Sequence, residues 1–255
     1  MKRTLSRLVA RGLYPSLKRR AVQSPEVRIL CYHAITAEKA DYMNVSPENF
    51  RDQMKALAEE GYRTVPLDYF FGSGGKVERP IVITFDDGYR DNCTDAWPIM
   101  KEFGMTGTIF CVSGKIGGDK YLDRQQIREM AAAGFQFGSH TVTHPRLHQT
   151  PKEQKKEELS ASKEALQAIL GKKVDYFCYP YGQYDQDCLE LLKECGYRGA
   201  CSNAPGANEP GRIANPYLLK RTEIGGFDTL EDFKMKVAGA FDALHVLLHR
   251  MRGRP

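Results

Sequence analysis

The stretch Ile81-Val-Ile-Thr-Phe-Asp-Asp-Gly88 sets two carboxylates, Asp86 and Asp87, directly after an apolar, strand-like run and then breaks at glycine. Adjacent carboxylates repel and resist burial. The pair therefore calls either for a compensating cation or for a solvated turn in which aspartate caps and glycine takes a positive φ. His140-Thr-Val-Thr-His144 offers the cation further ligands, because two imidazoles four residues apart reach one face within a helical turn, at chelating distance. Pro145 disfavours a long helix there, so the spacing predicts one tight turn. Two histidines and one aspartate form a mixed nitrogen and oxygen set that zinc accepts, with positions left for water and substrate. One aspartate would then bind the cation while the other stays beside it as a base.

Other candidates carry less. His245-Val-Leu-Leu-His249 repeats the spacing, but Arg250 and Arg252 would repel a cation, and the segment reads as a cationic helix end. His148 reads as exposed. Gly72-Ser-Gly-Gly-Lys76 lacks the phosphate-loop spacing and the hydroxyl after the lysine, and reads as a flexible loop.

The elements that must position these residues alternate along the chain. Strands are expected at 27–32, 81–85, 108–112, 135–138, 174–179 and 197–201. Helices are expected from Ser46-Pro47 to Gly61, over 94–103, from Asp123 to Gly134, from a capping box at Thr150-Pro-Lys-Glu153 to Gly171, over 187–195, and from Thr229 to His249. Such alternation argues for parallel strands joined by right-handed crossovers, hence an α/β sheet or barrel, whose chemistry gathers at the C-terminal strand ends. Three expected strands end accordingly: His33 follows one, Asp86 and Asp87 a second, and His140 with His144 a third; Pro180-Tyr-Gly182 follows a fourth.

With 255 residues, 42% of them hydrophobic, the chain can bury a substantial core. No apolar run approaches the ~20 residues that cross a bilayer. The N-terminal MKRTLSRLVARGLYPSLKRR is basic and lacks the apolar stretch and cleavage site of a secretory signal. The seven cysteines include no Cys-x-x-Cys pair and read as free thiols in a reducing cytoplasm. The net charge of +5 concentrates at the two ends. Basic, partly amphipathic ends can lie peripherally on an anionic membrane surface, or simply be solvated tails. No motif or aromatic-laced basic stripe indicates nucleic acid. The organisation expected is a basic segment over 1–25, a barrel over 26–227, and a C-terminal amphipathic helix with a basic tail over 228–255.

Thr84-Phe-Asp-Asp-Gly88, His140-Thr-Val-Thr-His144 and Tyr179-Pro-Tyr-Gly182 resemble the first three motifs of the polysaccharide deacetylases of the NodB-homology type, over roughly residues 27–225. The resemblance implies an α/β fold, a distorted (β/α) barrel of about seven parallel strands. It implies metal-dependent hydrolysis of an N-acetyl group on a hexosamine, with Zn2+, or else Co2+ or Ni2+, as cofactor. Carried over, Asp86 is the base, Asp87, His140 and His144 are the metal ligands, and Tyr181 in the Pro180-Tyr181 turn offers its backbone N–H to the oxyanion.

Two departures stand out. The arginine that opens the third motif in the family, and orients the base, is here Cys178; Arg221 in Leu-Leu-Lys-Arg-Thr-Glu-Ile could replace its charge from a later strand. The family's last motif, Leu-x-x-His, occurs not near the C-terminus but as Leu30-Cys-Tyr-His33. This resembles the circularly permuted subgroup that acts on exopolysaccharide and poly-N-acetylglucosamine, with His33 as general acid; in a closed barrel the first and last strands are neighbours. A cytoplasmic deacylase of a lipid-linked or nucleotide-linked amino sugar would use the same site. A carbohydrate-binding protein without catalysis is the alternative of another class.

Overall fold

The computed structural model describes residues 2–38, 41–72 and 76–242. The chain begins with a helix, α1 (Lys2–Gln23), and enters the sheet through β1 (Arg28–Tyr32). Two short strands, β2 (Ala34–Ile35) and β3 (Asn44–Val45), pair with each other before α2 (Pro47–Glu59) and β4 (Arg63–Thr64). Then follow β5 (Pro80–Phe85), α3 (Trp97–Glu102), β6 (Thr108–Cys111), α4 (Arg124–Ala132), β7 (Gln136–Ser139), α5 (Lys152–Leu170), β8 (Tyr176–Cys178), α6 (Gln186–Glu194), β9 (Gly199–Cys201), β10 (Thr222–Glu223) and α7 (Leu230–Val237).

All pairings in the main sheet are parallel, in the order β10-β1-β5-β6-β7-β8-β9, with β4 added on β5. The two ends of this curved sheet are tied by residues 219–223. Leu219 bridges Cys201 at the end of β9, and three residues later Thr222 pairs with Leu30 of β1. The architecture is the expected distorted barrel, and the first strand does lie beside the last.

Strand periodicity sorts the side chains into two layers. Ile81, Ile83 and Phe85 of β5, with Leu30 and Tyr32 of β1, point outward into the core beneath the helices. Val82, Ile29, Phe110, Tyr176, Cys178 and Leu219 point inward and fill the barrel. Extending the same parity past the strand ends puts His33, Asp86, His140 and Arg221 on the interior side. The two core layers therefore fix which side chains can meet.

Local sequence accounts for most helix boundaries. Ser46 caps α2 by accepting from Asn49 N–H, with Pro47 at the first position, and Asp123 with Gln126 forms a capping box on α4. Three expectations need correction. Thr150 does not cap α5: its hydroxyl donates to the Arg146 carbonyl at 3.1 Å, and the helix starts after Pro151. The stretch over 94–103 is divided, with a wider, π-type turn at Asn92–Ala96 ahead of α3. The helix expected over 229–249 is interrupted: α7 stops at Val237, and Gly239 turns to φ +82° where a Cβ would lie 2.6 Å from the Arg28 guanidinium. Residues 243–255, including His245, His249, Arg250 and Arg252, lie outside the described residues, as do 73–75 of the glycine loop.

The described cysteines are all free, and no described helix is long and apolar enough to cross a membrane. His148 is exposed as expected.

Candidate active site

Asp86 ends β5 on the interior side and is only 3% exposed. Arg221, itself 2% exposed, meets it side-on, Nη1 to Oδ1 and Nη2 to Oδ2, both at 2.7 Å. The remaining guanidinium donors are also used, on the Ser202 carbonyl, Thr84 Oγ1, Asn203 Oδ1 and Cys178 Sγ. Burial pushes the Asp86 carboxyl upward, but the charge and hydrogen bonds of Arg221 outweigh it and hold the carboxyl well below the usual range. The thiols of Cys178 and Cys31 approach Oδ2 at 3.4 and 3.6 Å, so Asp86 is enclosed by one cation and two weak donors. Cys178 occupies the place of the absent arginine without supplying charge; Arg221 reaches the same carboxylate from the segment that closes the barrel.

Asp87 has different company. Its Oδ1 lies 3.3 Å from His144 Nε2 and 3.8 Å from His140 Nε2, and the two Nε2 atoms are 3.2 Å apart. His140 Nδ1 lies 2.7 Å from the Cys178 carbonyl, which can only accept; Nδ1 therefore carries the proton, and the Nε2 lone pair faces the site. Burial lowers the pKa of both imidazoles, that of His144 to about 4, so both are neutral near pH 7. Two lone pairs and a carboxylate oxygen converging this closely are what a cation requires. Four ligands at bond lengths of about 2.0–2.1 Å around tetrahedral zinc stand about 3.3 Å apart, close to these spacings. Two further clusters, Cys31 with His33 and Asp86, and Asp86 with His140 and Cys178, both depend on Asp86. Arg221 already neutralises that carboxylate, which makes them poorer cation sites.

The histidines do not share a helical turn, contrary to the expectation from their spacing. Residues 140–146 are non-helical, with Thr141 at φ +69° and His144 at φ +65°. Four of the five non-glycine residues with positive φ among the described residues are Asp87, Thr141, His144 and Tyr181. Each such residue costs of order 1–3 kcal/mol and persists only where its surroundings over-determine it. Gly88, at φ +75°, sits where a Cβ would lie 2.9 Å from Cys111 Sγ, so the turn after the aspartates needs glycine for space as well as for conformation.

Several supports escaped the sequence reading. Glu158 of α5, 7% exposed, accepts from Val142 N–H, Thr143 N–H and Thr143 Oγ1 at 2.7, 2.9 and 2.6 Å, and Ser162 donates to the Thr141 carbonyl. Together they hold the histidine loop from below. Asn92, fully buried, donates to the His33 carbonyl at 2.9 Å, while Asp91 accepts from Ile35 N–H at 3.0 Å. These two residues stand three and four positions after Gly88, close behind the aspartates, so a signal was available; for Glu158, one acid among several on a long helix, none was.

His33 Nε2 stands 4.0 Å from Asp86 Oδ2, and its Nδ1 is buried with no hydrogen-bond partner among the described residues. Tyr181 follows the buried Pro180 and packs its ring edge-to-face with His144, and the Arg146 guanidinium lies 4.2 Å from the centre of the same ring. Beside the site opens a cavity of about 430 Å³ lined in part by Met43, Asn44, Tyr89 and Tyr121. The two tyrosine rings stack 5.3 Å apart. This volume lies within the roughly 300–1,000 Å³ that small-molecule sites occupy.

Comparison with known proteins gives concordant results. The sequence profile of the polysaccharide deacetylase family matches residues 73–200. YxkH of Bacillus subtilis, whose name assigns it to the polysaccharide deacetylases, is 32% identical over 200 residues, covering 77% of this chain and 70% of that protein. A poly-β-1,6-N-acetyl-D-glucosamine N-deacetylase of Staphylococcus aureus is 25% identical over 213 residues, covering 76% and 72%. The crystal structure of a polysaccharide deacetylase from Bacillus cereus superposes with a TM-score of 0.75 at 31% identity, over 83% of this chain and 69% of that one.

Proposed function

Since the chain belongs to the polysaccharide deacetylase family, and is thereby a hydrolase, we propose that it removes N-acetyl groups from an N-acetylhexosamine-containing glycan, with Asp86 as base and His33 as acid. The observation that carries this reading is the division of labour between adjacent aspartates. Asp87 converges with two neutral imidazoles, whereas Asp86 is neutralised by Arg221 and faces His33.

A divalent cation held by Asp87, His140 and His144 would supply Lewis acidity, lowering the pKa of a water in the site and polarising the amide carbonyl. Asp86, ionised across the neutral range, accepts the proton that this water loses as its oxygen bonds to the amide carbon. The Tyr181 N–H donates to the developing oxyanion. His33 delivers a proton from Nε2 to the amine nitrogen as the C–N bond breaks, since an unprotonated amine is a very poor leaving group. Acetate and a free amino sugar result. Arg221 orients Asp86 and keeps it ionised until the proton from water arrives.

The S. aureus relative is named for poly-β-1,6-N-acetyl-D-glucosamine, and the cavity walled by Tyr89 and Tyr121 offers room for a sugar next to the one being deacetylated, which favours an oligomeric glycan. The test is acetate release from a β-1,6-linked N-acetylglucosamine oligomer, with nucleotide-linked N-acetylglucosamine as comparator. Release that chelation abolishes and zinc restores supports the proposal. Turnover of the nucleotide sugar alone would move the substrate to glycan precursors, and no release from either would overturn the assignment.

A further inference from the structure

The basic N-terminal segment takes no part in this chemistry, yet it folds as α1 against the barrel. One stripe, Ala10, Tyr14 and Leu17, packs with Met235, Ala240 and Phe241. The cations beside that stripe are consumed: Arg7 pairs with Asp232, Arg11 with Glu231 and Lys18 with Glu60. The opposite side consists of two rows at helical spacing, Leu8, Gly12, Pro15 and Arg19, and Val9, Leu13, Ser16 and Arg20, every one of them exposed. Leu8, Val9 and Leu13 are 59%, 54% and 45% exposed, and they make up half of the exposed large hydrophobic residues among those described. Arg19 and Arg20 complete the same face with no ion pair among the described residues.

We propose that this outward face of α1 docks on an anionic lipid bilayer surface. Apolar side chains that enter the headgroup region beside unpaired arginines are the composition of an interfacial helix. Charge selects this occupant over a second copy of the chain. The outward face carries Arg19 and Arg20 and no acid, so two such faces brought together would repel, whereas acidic headgroups attract them. The helix lies parallel to the surface it would bind and does not span it, as its composition requires.

The experiment is co-sedimentation of the full chain with vesicles of phosphatidylcholine and phosphatidylglycerol, against phosphatidylcholine alone, together with light scattering of the free protein. The expected result is binding to the anionic vesicles only, weakened by salt. The binding constant should fall by at least about tenfold in Leu13→Asp and by a similar factor in Arg19→Glu/Arg20→Glu. Unchanged thermal melting would show that neither variant has lost its fold. Absence of binding to anionic vesicles, binding that both variants retain, or a dimer that Leu13→Asp dissociates would each overturn the proposal.

Discussion

Asp86 and Asp87 are chemically identical neighbours that the fold treats as opposites, and the difference can be tested one side chain at a time. Burial raises the Asp86 carboxyl and Arg221 more than reverses this, so removing Arg221 must move the carboxyl to higher pH. In Arg221→Ala the acidic limb of the kcat/KM profile should therefore shift upward by about one unit or more, with partial recovery in Arg221→Lys; an unmoved limb would separate Arg221 from the base. The stability linked to Asp86 has the sign of a depressed acid, present above the ordinary value of 3.8 and lost as pH falls through the folded value. Asp91 runs the other way. Burial pushes its carboxyl up to about 6, so its ionisation costs stability as pH rises from about 4 through 6. Urea unfolding of Asp91→Asn should show that loss reduced, by up to about 3 kcal/mol between those limits. The aspartates and both histidines were legible in the sequence because each pair falls within five residues. Arg221 could be suspected only because Cys178 left a charge missing, and its side-on pairing required the fold.

At the scale of elements, α5 acts through the loop above it. Glu158 binds two backbone N–H groups and a hydroxyl of the histidine loop, so Glu158→Gln keeps the shape but weakens charge-assisted bonds. Zinc affinity, measured by competition with a chelating dye, should fall by about tenfold or more while helix content is preserved. Affinity equal to the unaltered protein would reduce Glu158 to a helix-surface acid. Helices were readable from hydrophobic periodicity, and the longer strands from short, nearly continuous apolar runs, which is what burial on both faces produces. The two-residue strands β2, β3 and β4 were not, because segments this short carry no period. The single-turn expectation for His140 and His144 failed for a related reason: spacing reports that two side chains can meet, not which backbone brings them together. Here the left-handed residues Thr141 and His144 do so.

Across the whole molecule, the chain closes its barrel with residues far apart in sequence, and the site depends on that closure. His33 comes from the first strand and Arg221 from the segment that ties the last strand to it. The displaced Leu-x-x-His motif announced this arrangement, although the bridge from Cys201 through Leu219 to Thr222 did not show in the pattern of residues. A cation joining loops after β5 and β7 binds only the folded chain and must stabilise it. Zinc at a hundredfold excess over its Kd should contribute about 2.7 kcal/mol, raising the melting temperature by roughly 5–10 °C in a protein of this size. The shift should vanish in Asp87→Asn, and an equal shift in that variant would place the cation elsewhere.

The central claim, that Asp87 holds the cation while Asp86 moves the proton, is tested most directly by Asp86→Asn, with zinc content and acetate release measured on the same sample. The account predicts full zinc occupancy and a loss of turnover of at least about a hundredfold. Near-normal turnover, or a variant that no longer binds zinc, would contradict it.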